Sequence, residues 1–259
     1  MKKQTLIFGI LAAASVSMAG PNPLITLPLA FESYNSVTKK FAGPSGFTDA
    51  SVSQFVFSDG TTPQFSLQVN AWDAAKVNGK FVDFNQNNAT VTGKLESTLI
   101  RLKQDKNELG LGAQNKGTNS GDQELRNNLT SGLQLLELSN LTVTPGYAIK
   151  NFTLKVTSVD KNEGFLVYGS NSGPDVNGNV TLTKLFHDTN SVNGFSPTVD
   201  LTSYLKQYKD FWVTADNGSA SSVILSNGTS AMVQAVPEPS AFAVLGLGLV
   251  GLVVRRRKS

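Results

Sequence analysis

Apolar and polar residues alternate through much of this chain. Phe65, Leu67 and Val69 are separated by Ser66 and Gln68, and Phe152, Leu154 and Val156 by Thr153 and Lys155. A strand turns successive side chains to opposite faces, so this period of two predicts strands with one buried and one wet face. Val52–Phe57, Leu95–Leu102, Leu133–Leu138, Gly164–Tyr168 and Val180–Thr183 read as further strands. The runs are punctuated by Asp59-Gly60, Asn78-Gly79, Asn177-Gly178, Asn193-Gly194, Asn217-Gly218 and Asn227-Gly228. Asn and Gly tolerate the positive φ that tight hairpin turns demand, so these pairs predict chain reversals. Near the end, Phe211–Thr214, Ser222–Leu225 and Ala231–Val233 are spaced by two such pairs and predict a three-strand meander. Lys103–Asn128, polar and interrupted by Gly110, Gly112, Gly117 and Gly121, predicts a long loop. Helical signals amount to one turn each in Ser203–Lys209 and Ala71–Val77. The expected class is all-β: an antiparallel, jelly-roll-like β-sandwich over residues 20–235, with a signal helix at each end of the chain.

The two ends are patterned differently from the body. Lys2 and Lys3 precede an apolar stretch from Leu6 to Val16, and Ser17-Met18-Ala19 supplies small residues. Cleavage between Ala19 and Gly20 is expected, which makes 1–19 a signal peptide. At the other end Val236-Pro237-Glu238-Pro239 leads into Ala241–Val254, 14 residues without a charge, and then Arg255-Arg256-Arg257-Lys258. As a helix that run covers roughly 21 Å against a hydrocarbon core of about 30 Å, a short membrane segment. The prolines favour an extended, exposed strip before it. The terminal cations resist translocation and leave the body on the far side of the membrane.

In that order, a proline-bracketed acid, a short apolar helix and a basic terminus resemble the PEP-CTERM sorting signal of Gram-negative bacteria, over residues 236–259. The resemblance implies recognition by an exosortase-like membrane enzyme and cleavage near Pro237-Glu238-Pro239. It further implies transient contact with the membrane through 241–254, release or attachment of the body at the cell surface, and exopolysaccharide as a candidate partner. Gly246-Leu247-Gly248-Leu249-Val250-Gly251 spells a dinucleotide fingerprint, but no βαβ unit surrounds it and it is set aside.

Charge changes the picture once the ends are removed. The whole chain carries 22 Lys and Arg against 19 Asp and Glu, but six of the cations lie in the terminal segments. The body is left mildly acidic, and no nucleic-acid partner is expected. With no Cys and one His, thiolate chemistry and zinc are excluded as expectations, and no cofactor is foreseen. His187 next to Asp188 lacks a nucleophile elbow and reads as a strand-end residue. Asp175, Asn177 and Asn179 offer alternate oxygen ligands suited to calcium, although the same residues suit a hairpin turn better. Glu96, Glu137 and Glu163 alternate with apolar residues and read as solvated acids; Trp212 reads as core. The expected protein is exported, structural or adhesive, and without catalytic residues. A carbohydrate-binding module and a glycan-active hydrolase are the alternatives.

Overall fold

The computed structural model describes residues 24–28, 33–35, 40–42, 52–57, 63–74, 76–77, 80–81, 89–104, 109–113, 125–128, 132–157, 159, 163–189, 197–216, 222–226 and 229–236. Both signal segments, and the turn pairs other than Asn177-Gly178, lie outside them. The described strands are, in order, β1 (Ile25–Pro28), β2 (Ser33–Asn35), β3 (Lys40–Ala42), β4 (Val52–Phe57), β5 (Phe65–Ala74), β6 (Lys76–Val77), β7 (Lys80–Phe81), β8 (Thr90–Thr98), β9 (Ile100–Gln104) and β10 (Leu109–Ala113). They continue with β11 (Leu125–Asn128), β12 (Gly132–Val143), β13 (Tyr147–Thr157), β14 (Gly164–Ser170), β15 (Asn179–Thr189), β16 (Thr198–Asp200), β17 (Asp210–Ala215), β18 (Ser222–Ser226) and β19 (Ser230–Ala235). Every described pairing is antiparallel, and among the described residues the helical content is one short 3₁₀ turn at Thr202–Tyr204.

Successive pairings return to their starting point. β5 pairs with β12, β12 with β17, β17 with β14, β14 with β15, β15 with β8, and β8 again with β5. Six strands therefore form a closed ring, which leaves those edges paired. A second layer is built around β13, which pairs with β16, β18 and β19; β19 also pairs with β1, and β18 with β10 and β11.

The ring explains why burial departs from simple alternation. Phe65, Leu67, Val69 and Ala71 of β5, Phe165 and Val167 of β14, and Phe211, Val213 and Ala215 of β17 face outward and meet Phe152, Leu154, Val156, Leu225 and Val233 of the second layer. The intervening positions, among them Leu133, Leu135, Leu166, Tyr168, Leu182 and Trp212, form a separate cluster inside the ring. Both faces of β14 and β17 are therefore covered, and every residue of the two strands is buried. β13, in the outer layer, keeps the expected alternation in its second half.

Three expectations are corrected. Phe211–Thr214, Ser222–Leu225 and Ala231–Val233 are strands but not a meander: β17 lies in the ring, β18 and β19 in the second layer, and among the described residues no ladder joins consecutive members. Asn-Gly reports that the chain reverses, not which strand it meets next. Lys103–Asn128 is not one loop, because Leu109–Ala113 pairs with β9 and Leu125–Asn128 with β12 and β18. Within Ala71–Val77 the described residues are extended: Ala71–Asp73 pair with β12 on one edge and Ala71–Ala74 with β8 on the other, and Lys76–Val77 form β6.

Candidate functional site

Along four ring strands the inward-facing row ends in polar residues at the same end of the ring. On β5 it runs Ala74, Trp72, Asn70, Gln68; on β12, Leu133, Leu135, Glu137, Ser139; on β14, Leu166, Tyr168, Ser170; on β17, Thr214, Trp212, Asp210. Register brings the polar ends together: Glu137 stands opposite Asn70 on one side and Trp212 on the other, and Ser170 opposite Asp210. The result is a polar mouth above an apolar, tryptophan-floored interior.

The mouth is tightly bonded. Asn70 Nδ2 and Trp72 Nε1 each donate to Glu137 Oε2 at 2.8 Å, and Trp212 Nε1 donates to Ser170 Oγ at 2.8 Å. The two indole rings lie 6.4 Å apart between centroids. Gln68 Nε2 donates to Asn70 Oδ1 at 2.9 Å, and Asn140 Nδ2 to Gln68 Oε1 at 2.8 Å, so a relay of amides runs from the exposed Asn140 to the buried carboxylate. The connection from β14 to β15 closes over the same end, where a Cβ on Gly173 would stand 2.9 Å from Glu137 Oε1.

Glu137 is 3 % exposed, which corrects its reading as a solvated acid. Burial raises its pKa above the ordinary value, more than its hydrogen bonds from Asn70 and Trp72 lower it, and the Asp210 carboxylate pushes the same way as burial. Burial also raises Asp210, against a smaller opposing effect of Lys209. A raised carboxyl holds its proton in the fold at a pH where the unfolded chain has released it. The stability it contributes is fully present below the unfolded pKa and is lost as pH rises through the folded one. Asp175 and Asp200, lowered mainly by side-chain hydrogen bonds from Asn179 and Thr202, act in the opposite sense and lose their contribution as pH falls. Glu137→Gln keeps an oxygen for Asn70 and Trp72 and removes the buried charge. Its melting temperature should therefore decline less than the parent's between about pH 4.5 and neutrality, as followed by circular dichroism. Parallel curves for the two proteins would contradict this.

Elsewhere the structure separates residues that the sequence placed side by side. His187 Nε2 meets Asp216 Oδ2 at 3.1 Å, so its acidic partner is Asp216 and not its neighbour Asp188. Burial, and then the Asp216 carboxylate, keep the Tyr168 phenol neutral well above its usual value. Asp175 closes a turn: its Oδ1 accepts from the backbone N–H of Asn177 at 2.8 Å and of Asn179 at 2.9 Å, and Asn179 Nδ2 reaches its Oδ2 at 3.0 Å. All three residues are exposed, and no group of three or more His, Cys, Asp or Glu suited to a metal occurs among the described residues. Of the acids considered from sequence, Glu96 is exposed and Glu163 half-buried, far from the sealed position of Glu137.

Fold and site together define an all-β protein whose closed ring carries a polar, carboxylate-bearing mouth. Its C-terminal segment is more specific: residues 235–258 match the PEP-CTERM protein-sorting motif. No curated protein matches the chain. The motif implies an exported protein targeted to an exosortase at the membrane. Val236, at its start, is 47 % exposed and donates its backbone N–H to Gly146 O at 2.7 Å, the last bond of the described body. Pro237, Glu238, Pro239, the 241–254 run, Arg255–Lys258 and the Ala19-Gly20 junction lie outside the described residues. Among the described residues no helix is long and apolar enough to cross a membrane.

Proposed function

We propose that this chain is the precursor of a cell-surface or extracellular-matrix protein, structural or adhesive in role and without catalytic activity. Its body is a β-sandwich in which one sheet has rolled shut. The observation that carries the reading is where the body stops. β19 ends at Ala235, and the sorting motif spans 235–258, so a cut within Pro237-Glu238-Pro239 would remove the tail without breaking a described ladder. The non-catalytic reading draws support from Glu137, which is 3 % exposed, with its Oε2 taking two N–H donors and its Oε1 facing the Gly173 backbone. A hydrolase acid needs access to a scissile bond.

Intact mass of the exported product tests the processing step. The expected mass lacks everything beyond the proline-bracketed strip, and replacing Pro237, Glu238 and Pro239 together by alanine should leave precursor with its basic end in the membrane fraction. Recovery of product ending at Ser259 from parent cells would defeat the proposal.

A further inference from the structure

Asn140 opens onto a groove of about 540 Å3 beside the polar end of the ring, walled by Thr142, Ile149, Tyr208, Lys209 and Asp210 among others. We propose that this groove binds a neutral polyhydroxylated ligand, a sugar ring or short glycan segment, stacked on Tyr208 and hydrogen-bonded by Asn140, Thr142 and Asp210. This goes beyond the surface role proposed above and does not depend on how the tail is processed.

Four observations point there. Asn140 holds φ at 51°, the left-handed region that side chains other than glycine's rarely adopt, where the register of β12 against β5 breaks between Ser139 and Thr142. A bulge re-aims a side chain, and such backbone strain concentrates at binding sites. The Asn140 amide is held in one orientation by the relay through Gln68 and Asn70. Tyr208 is preset as well, because its ring sits where a Cβ on Gly169 would come within 2.6 Å. Asp210 lines the groove while only 8 % exposed, and no described residue donates a hydrogen bond to it. Its carboxyl oxygens therefore remain open to donors from outside the protein, and adjacent ligand hydroxyls would supply them.

The chemistry selects against ions. Lys209 and Asp210 offset one another and no single sign of charge gathers in the groove. The other polar groups are amides and hydroxyls, which both donate and accept. A second hollow of about 270 Å3, lined by Gln64, Ser66 and Thr144, shares Thr142 and Val143 with the first and extends the strip of neutral hydrogen-bonding groups. Together they have the size of ordinary small-ligand sites, with room for more than one sugar unit.

The experiment is calorimetric titration of the purified exported protein with cello-, xylo-, malto- and chito-oligosaccharides of four to six units, with oligogalacturonate as an acidic control. At least one neutral series should bind with a dissociation constant in the range of about 10 μM to 1 mM. Asn140→Gly relieves the backbone strain while deleting the amide, so it should weaken binding at least tenfold without lowering the melting temperature. Asp210→Asn should weaken binding similarly in a folded protein. The proposal is overturned if no neutral series binds at about 10 mM, if oligogalacturonate binds as tightly as the best neutral ligand, or if both variants retain parental affinity.

Discussion

Trp212→Ala is expected to cost about 3 to 5 kcal/mol of folding stability, the range for deleting a large aromatic from a packed core. Trp212 is fully buried inside the ring, its indole lies tilted against that of Trp72, and its N–H is the donor to Ser170 Oγ. Truncation would open a cavity that six mutually bonded strands cannot collapse to fill, and would strip Ser170 of a donor. For a chain of this size the loss corresponds to a fall in melting temperature of roughly 10 °C or more. Trp212→Phe retains most of the volume and should lose less than half as much. Urea denaturation of both variants tests the point; equal and small effects would mean that the interior of the ring is loosely packed.

The second large effect concerns two glycines with nearly the same backbone and different surroundings. Gly146 has φ of 84° and Gly178 of 81°. A Cβ on Gly146 meets nothing within 4 Å, whereas one on Gly178 would lie 2.2 Å from the backbone oxygen of Leu95. Gly178 O also accepts the Leu95 N–H at 2.8 Å, a bond that ties the β14–β15 connection to β8. Gly146→Ala should therefore cost about 1 kcal/mol, the price of a left-handed alanine. Gly178→Ala should cost about 2 to 4 kcal/mol, since the connection must also move off β8. Thermal unfolding of the pair isolates the steric part, and equal losses would show that the connection yields freely.

Much of the fold was legible because burial on one face leaves a period-two trace. Val52–Phe57 was read with the bounds the structure has, and Asn177-Gly178 was rightly placed at a turn, between β14 and β15. What could not be read was which strands become partners, since β17, β18 and β19 divide between two layers. Leu109, Leu111 and Ala113 do alternate, but the glycines between them looked like a loop. The candidate site was missed for a related reason. In Leu136-Glu137-Leu138 alternation assigns the acid to a wet face, and only closure of the ring makes that face an interior. A signal was present: Gln68 and Asn70 on one strand, and Glu137 and Ser139 on another, place polar residues two apart on the same face, beside Trp72 and Trp212. Asp216 as partner of His187 left no such trace, because the contact joins β15 to the residue after β17, distant in the chain.

The pairing of β1 with β19 sets an order of events. Ile25 lies opposite Val233, so the first described strand of the body has its recorded ladder only with the last. A polypeptide threaded across a bilayer from its N-terminus would hold β1 unmatched until nearly the whole body had emerged. Such long-range closure is slow, which favours a chain that must stay threadable in transit. Under the sorting role proposed here, the final strand would lock into place just as the tail halts in the membrane. The enzyme waiting there would then meet a finished body on a short leash.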